Sequence, residues 1–369
     1  MKRRNFTKMA GMGALTMLPF TAFTATNFWG NEPSGTSGIP LGLCNHSLRS
    51  MKLNAQQLIE YAIDQNLDSV LLNTFQPFES LDNSYLAELS RIAKANSISI
   101  YVGAGSISEK SGSFSDNYGN ATTLLKEGIR IAKAVGSPVV GCRIGSYEDR
   151  YMDGGIEAHT EAVIKVMKSL RNEALDAGIK FAFENHAGDL RSEELLALIN
   201  ETGTDICGAL FDPANAVWAM EDPMKALAKL GSAILCTSIR DVMVWETQEG
   251  AMFQGMATGE GLMDYKFFAD TMARLCPGVP LHVETISNSA RPVPFLNDEF
   301  WKGFPKLKAA GIIDFLNLAK KGKPLEIEKP PAGTTRKDFE ISQQQRELLK
   351  SLQYLRSSCN AGLKTKSEF

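Results

Sequence analysis

The chain has 369 residues, 44% of them hydrophobic and 22% charged, with a formal net charge of −3 and a pI near 5.9. This is ordinary globular composition, enough for one large or two ordinary domains. There is no basic field to hold a polyanion, which argues against nucleic acid as a partner, and no apolar run reaches the roughly 18 residues that a membrane span needs.

The first eight residues, Met1-Lys-Arg-Arg-Asn-Phe-Thr-Lys8, are basic and carry the pair Arg3 and Arg4. A mildly apolar stretch follows over 9–25, with small residues at Ala22 and Ala25. The arrangement resembles a twin-arginine export signal, which implies a periplasmic protein whose residues 1–30 are an export signal and the start of a linker. Asn31 to Gly38 is linker-like in composition.

From residue 39 short apolar runs alternate with amphipathic segments. Strands are expected at 39–45, 67–73, 98–103, 138–143, 180–185, 206–211, 234–240 and 280–285. Helices are expected near 54–66, 84–96, 119–135, 156–178, 192–201, 223–230, 263–275 and 303–321. Gly136, Gly178 and Gly231 stand where three of these helices should stop. Continuous apolar strands separated by helices imply a parallel sheet covered on both faces. Eight such units over 39–321 fit a (β/α)8 TIM barrel. A doubly wound open sheet is the competitor, but it would usually carry a Gly-rich turn after an early strand. Here the first strand runs into Asn45-His46-Ser47-Leu48. Residues 322–369 form a C-terminal extension. It begins with a proline-punctuated segment and continues as a charged helix over 338–355, available to cover the barrel or to meet another subunit as a homo-oligomer. Four of the six cysteines, Cys44, Cys142, Cys207 and Cys236, lie in strand-like runs, and no Cys-x-x-Cys spacing occurs. They read as buried free thiols rather than disulfides or a zinc site.

The chemistry concentrates at the strand ends. Three apolar runs end in an acid: Ile179-Lys-Phe-Ala-Phe-Glu184, Ile206-Cys-Gly-Ala-Leu-Phe-Asp212 and Val279-Pro-Leu-His-Val-Glu284. Buried carboxylates need partners, and barrel active sites lie at the C-terminal ends of the strands. The other ends offer Asn45 and His46, Asn73, Arg143, Asn185 and His186, Asn215, and Ser238, Arg240 and Asp241. Three of the four histidines, His46, His186 and His282, fall at such ends. Residues two apart on a strand share a face, so Glu184 goes with His186, His282 with Glu284, and Ser238 with Arg240. Hard carboxylate oxygens suit Mg²⁺ or Mn²⁺, with Zn²⁺ as a further option. A divalent ion bridging a hydroxyl and a carbonyl would acidify the C–H between them, and a glutamate would move the proton.

The chain resembles the xylose isomerase-like TIM-barrel superfamily, the sugar isomerase and epimerase group. The resemblance covers 39 to about 320 and rests on Phe183-Glu-Asn-His186, Phe211-Asp-Pro-Ala-Asn215, Ser238-Ile-Arg-Asp241, Gly259-Glu-Gly261 with Asp264, and His282-Val-Glu284. It implies a divalent metal held by Glu184, Asp212 and Glu284, with Glu184 and Glu284 also the catalytic proton-transfer pair. His46, Arg143, His186, Asn215, Arg240 and Trp218 are the expected substrate contacts. One departure stands out: the family commonly has His-x-Lys-Asp on strand 7, and this chain has Ser238-Ile-Arg240-Asp241. Either water or His186 takes the vacant ligand position, or Arg240 supplies the positive charge itself. The expected activity is metal-assisted isomerisation or epimerisation of a small carbohydrate through an enediolate. The alternatives are a 3-keto-glycoside lyase or dehydratase, which shares that intermediate, and a non-catalytic sugar-binding protein.

Overall fold

The computed structural model describes residues 38–364; the expected export signal lies outside the described residues. Eight strands form one parallel sheet: β1 (Leu41–Cys44), β2 (Ser69–Leu72), β3 (Ser99–Ser106), β4 (Val139–Arg143), β5 (Lys180–Glu184), β6 (Cys207–Phe211), β7 (Ile234–Thr237) and β10 (Leu281–Val283), in the order β10-β1-β2-β3-β4-β5-β6-β7. The sheet closes where Ile239 bridges Val283. There Ile239 N donates to His282 O (2.7 Å) and Glu284 N donates to Ile239 O (2.8 Å). The result is the expected TIM barrel.

The surrounding layer holds α1 (Ala55–Asp64), α2 (Asn83–Ala95), α3 (Ala121–Val135), α4 (Gly155–Ala177), α5 (Ser192–Thr202), α6 (Pro213–Trp218), α7 (Pro223–Leu230), α8 (Tyr265–Leu275) and α9 (Ile313–Ala319). α3 shows why these segments are helical. Asn120 caps its start by accepting from Thr123 N, and Leu124, Leu125, Ile131 and Val135 bury one face. Gly136, at φ 81°, ends it by donating to Ala132 O. Each such buried side chain stabilises the barrel by about 1.5–3 kcal/mol before entropy is counted.

Alternation along the strands positions the site. Phe181 and Phe183 of β5 are fully buried in the layer beneath the helices. Ala182 between them joins Cys44, Leu71, Tyr101, Val139, Leu210 and Cys236 in a separate cluster that fills the barrel interior. Two residues beyond Ala182, Leu210 and Cys236 come Glu184, Asp212 and Ser238, so these share the inward face one layer higher. His282 stands two residues before Glu284. It is fully buried, its ring 4.8 Å from that of Tyr101 in an edge-on contact. It therefore belongs to the interior layer, below the mouth.

Three elements differ from the sequence expectation. The strand expected at 234–240 stops at Thr237, and the chain then leaves the barrel as a hairpin, β8 (Asp241–Thr247) and β9 (Gly250–Met256). A third strand, β11 (Ala290–Val293), pairs antiparallel with β9. The helix expected over 303–321 is regular only as α9, because Pro305 cannot continue a helix from Gly303. Finally, α6 forms directly after β6, started by Asp212, whose carboxylate accepts from Ala214 N and Asn215 N.

The C-terminal helix α10 (Arg336–Cys359) lies on the barrel and buries Leu348, Leu352 and Leu355. Gln344 Oε1 accepts from Ser50 N (3.0 Å), in the turn after β1, and Ser351 Oγ accepts from Thr258 N (2.9 Å). Beyond the helix, Ala361 bridges Ile39. All six cysteines are buried and free. Among the described residues no helix is long and apolar enough to cross a membrane.

Candidate active site

A cavity of about 390 Å³ opens at the C-terminal mouth of the barrel. Glu184 and Glu284 reach it, as do His46, Arg143, His186, Asn215, Trp218 and Arg240. Every residue expected to contact substrate therefore lines one space. Asp212 belongs to the same cluster but is fully buried behind Arg240. The three acids offer oxygens all within 4.8 Å of one another.

Arg240 is the centre of the cluster. Its Nη1 donates to Asp212 Oδ2 (2.5 Å) and to Glu284 Oε2 (3.0 Å), and its Nη2 donates to Asn215 Oδ1 (2.9 Å). Its stem passes close to the backbone of β9 at Gly255. A Cβ there would sit 3.3 Å from Arg240 Cδ and 2.0 Å from Ile286 O, so only glycine fits. Tyr265 of α8 donates its hydroxyl to Arg240 O (2.8 Å). Asp212 is also held by Asn215 Nδ2 on Oδ2 (2.9 Å). Asn185 brackets its backbone, donating to Asp212 O (2.7 Å) and accepting from Asp212 N (2.9 Å).

The two glutamates sit in opposite environments. Burial pushes the Glu184 carboxyl well above the usual range, and the negative charge of Glu284 adds to the effect. Glu184 accepts no hydrogen bond from another described residue. Glu284 is also buried, but His46 and Arg240 outweigh that burial and hold its carboxyl below the usual range. The Cys44 thiol donates to Glu284 Oε1 (3.4 Å). Asp212 is pushed up to about 6 by burial, against the pull of Arg240, and is ionised at neutral pH. The two carboxyls at one mouth thus have the divergent proton affinities that an acid and base pair requires.

Beside Glu184, in register with it on the neighbouring strand, Arg143 Nη1 lies 3.3 Å from His186 Nε2, while His186 Nδ1 lies 2.8 Å from Gly145 O. The network assigns the proton to Nδ1, leaving Nε2 to accept from the guanidinium. Burial and Arg143 lower His186 to about 4, so it is neutral at pH 7. Asp189 ties these loops together by accepting from Gly145 N (3.1 Å) and His186 N (2.8 Å). Trp218 stacks on Phe253 at 5.5 Å and forms an apolar side of the cavity. Asp241 works within the loop: it accepts from Gly259 N (3.0 Å) and Met263 N (3.1 Å) and shapes the Gly259–Gly261 turn.

Sequence reasoning missed Arg49, Phe253 and Arg291, which also line the cavity. Arg49 had a signal, since it follows His46 by three residues in the turn after β1. Phe253 and Arg291 had none, because the hairpin and β11 fall between the expected elements.

A family profile for xylose isomerase-like TIM barrels matches residues 58–301, and the chain belongs to that family. An Escherichia coli protein described as uncharacterized YihM is 28% identical over 142 residues, 38% of this chain and 41% of that protein, so the alignment spans less than half of the curated relative. Among solved structures, D-psicose 3-epimerase from Clostridium cellulolyticum H10 superposes with a TM-score of 0.55 at 14% identity. That match covers 85% of this chain and 98% of the epimerase. The 3-keto-D-glucoside 4-epimerase YcjR from E. coli superposes at 0.51 and 11% identity, covering 72% and 99%. At such identities the likeness concerns the fold.

The family resemblance implied a divalent ion among Glu184, Asp212 and Glu284. The acids converge as that expectation requires, but the remaining donor set does not fit a resident ion. The oxygens of Asp212 already accept four hydrogen bonds, two of them from the start of α6. The guanidinium of Arg240 stands between Asp212 and Glu284. A cation about 4 Å from a guanidinium is opposed by on the order of 4 kcal/mol per unit of its charge at an effective dielectric of about 20. Where the family commonly has a histidine, Ser238 offers a neutral hydroxyl, buried beside Glu284.

Proposed function

We propose that this chain is a sugar isomerase or epimerase acting by proton transfer next to a carbonyl, with Arg240 serving where relatives use a metal ion. Glu284, ionised, takes the proton from the carbon beside the carbonyl. Glu184, protonated, delivers a proton to the intermediate. Arg240 holds Glu284 ionised and lies beside the oxygen on which charge develops. Trp218 supplies an apolar face for the sugar ring, and Asn215 fixes Arg240. The observation that carries this reading is the pair of inward glutamates at one mouth, one bound to a guanidinium and one without a hydrogen-bond partner among the described residues.

The same intermediate serves elimination, so a keto-glycoside lyase remains the companion reading, and product analysis separates the two. The test is proton exchange. The protein, stripped with chelator, is incubated in D₂O with a panel of aldoses, ketoses and 3-keto-glycosides, and NMR follows deuterium entering carbon next to the carbonyl. Exchange by the wild-type chain, lost in Glu184→Gln and Glu284→Gln, is the expected result. Undiminished exchange in both variants, or exchange by wild type only after Mn²⁺ is added, overturns the reading.

The export signal is proposed from the basic start with Arg3 and Arg4, the mildly apolar stretch 9–25 and the small residues Ala22 and Ala25. Replacing both arginines with lysine should retain the protein in the cytoplasm on cell fractionation.

A further inference from the structure

The charges of the mouth do not balance. Arg240 is already paired with both Asp212 and Glu284. Three more arginines face the same cavity: Arg49, Arg143 and Arg291. Among the described residues, none of the three has a carboxylate within 4.0 Å; all eighteen such pairs lie elsewhere. Arg49 Nη1 donates only to backbone carbonyls, His46 O (3.2 Å) and Thr285 O (3.1 Å). Arg143 leans on the neutral His186 ring. Arg49 and Arg143 also line an adjoining cleft of about 520 Å³, where Lys52 adds a cation and Glu79 the one carboxylate.

Arginines used only for solubility point outward and pair with surface acids, as Arg91 does with Glu88 and Arg346 with Glu328. Arg49, Arg143 and Arg291 instead come from three separate parts of the fold, the turn after β1, the end of β4, and β11, and converge on one concavity. A fork of guanidinium donors fits a planar or tetrahedral oxyanion.

We propose that the substrate is an anionic sugar whose carboxylate or phosphate is seated by Arg49 and Arg143, with Arg291 at the rim. This rests on the reading of the cavity as a sugar site and names the class of sugar it takes. Arg143 stands in register with Glu184 and Arg49 bonds the carbonyl of Thr285, next to Glu284, so an oxyanion seated on them holds the carbon next to the carbonyl close to the two glutamates. His186 is a positioning residue: with Nδ1 committed to Gly145 O, its Nε2 aims the Arg143 guanidinium.

The test is calorimetric binding to the purified full chain with D-glucuronate, D-glucose 6-phosphate and D-glucose. At low salt at least one anionic sugar should bind with a Kd at least about tenfold below that of glucose, the worth of one charge-assisted contact. The gap should narrow at about 0.5 M NaCl. Which anion wins separates carboxylate from phosphate. Arg143→Gln should lose at least about tenfold in anion affinity, a clearly larger loss than for glucose. Arg291→Ala, at an exposed position, should fold normally and lose a few-fold. Anionic sugars binding no tighter than glucose, including no binding of any of the three, overturns the proposal. So does anion affinity unchanged in both variants. Proton exchange keeps the two readings apart. Exchange on neutral sugars only leaves the proposed function standing without this inference, and tight anion binding without exchange leaves the inference standing without the proposed function.

Discussion

The mouth of the barrel has two walls of different character. The wall from β5, β6, the end of β7 and β10 is internally compensated: Arg240, Asp212, Glu284 and Asn215 satisfy one another in a buried cluster. The wall from the turn after β1, β4 and β11 holds arginines with no carboxylate partner among the described residues. The difference separates two tasks. A compensated cluster keeps its geometry whether or not substrate is present, which suits groups that must move a proton at a fixed distance. An uncompensated one gains its partner only on binding, which suits recognition.

The most damaging ways to break this contrast act on the compensated wall. Glu284→Gln and Glu184→Gln should each lower kcat/KM by about 10²–10⁴, the usual worth of a general acid or base. They should differ in stability. Glu284→Gln removes a partner of Arg240 and lowers the thermal midpoint, whereas Glu184→Gln removes a carboxyl that burial disfavours and leaves the midpoint unchanged or raised. Equal loss of stability in both would erase the proposed asymmetry.

Arg240→Ala leaves two buried carboxylates without their cation and should cost about 3–5 kcal/mol in chemical denaturation. It also frees the place of a metal ion. Added Mn²⁺ should recover part of the lost stability in the variant and do nothing for the wild type, and elemental analysis should find metal only in the variant. Stoichiometric metal in wild-type protein would reverse the assignment.

A smaller effect comes with pH. Asp212 titrates near 6 in the fold against a usual 3.8. A carboxyl raised in this way contributes stability that is present below its unfolded value and is lost as pH climbs through the folded one, here up to about 3 kcal/mol between about pH 4 and 6. Activity should move the other way, because only ionised Asp212 pairs with Arg240. The expectation is a pH–rate profile whose acid limb lies near 6, in the same window where thermal stability declines. A flat profile from pH 5 to 7 would remove Asp212 from the working cluster. The smallest effect is expected of Trp218→Ala, a rise in KM of about tenfold or less through lost ring contact, roughly 1 kcal/mol, with kcat nearly unchanged.

Much of this was legible in the sequence, for a physical reason. Parallel strands covered on both faces must be apolar along their length, so β1 to β6 stand out, and an acid at the end of such a run cannot be incidental. The period of two also put Ser238 and Arg240 on the inward face. It could not say that a long side chain would fold back to lie between Asp212 and Glu284, because that depends on the glycine at 255 and on the path of the hairpin. The hairpin itself was hidden: Val242-Met-Val-Trp245 is buried along its whole length, shows no alternation, and falls between the expected strand at 234–240 and the expected helix at 263–275. With it went Phe253 and Arg291, which approach the mouth only through pairing between β9 and β11. Strand ends are local facts; the contents of the mouth depend on segments far apart in the chain.

The bridge between Ile39 and Ala361 has a topological consequence. Gly362 N donates to Ile39 O at 2.8 Å, so the first and last described segments run side by side at the base of the barrel. Sequence order is then dispensable to the architecture. A circularly permuted protein, with residues 39 and 362 joined by a short linker and new ends opened in the exposed stretch 115–120, should build the same barrel.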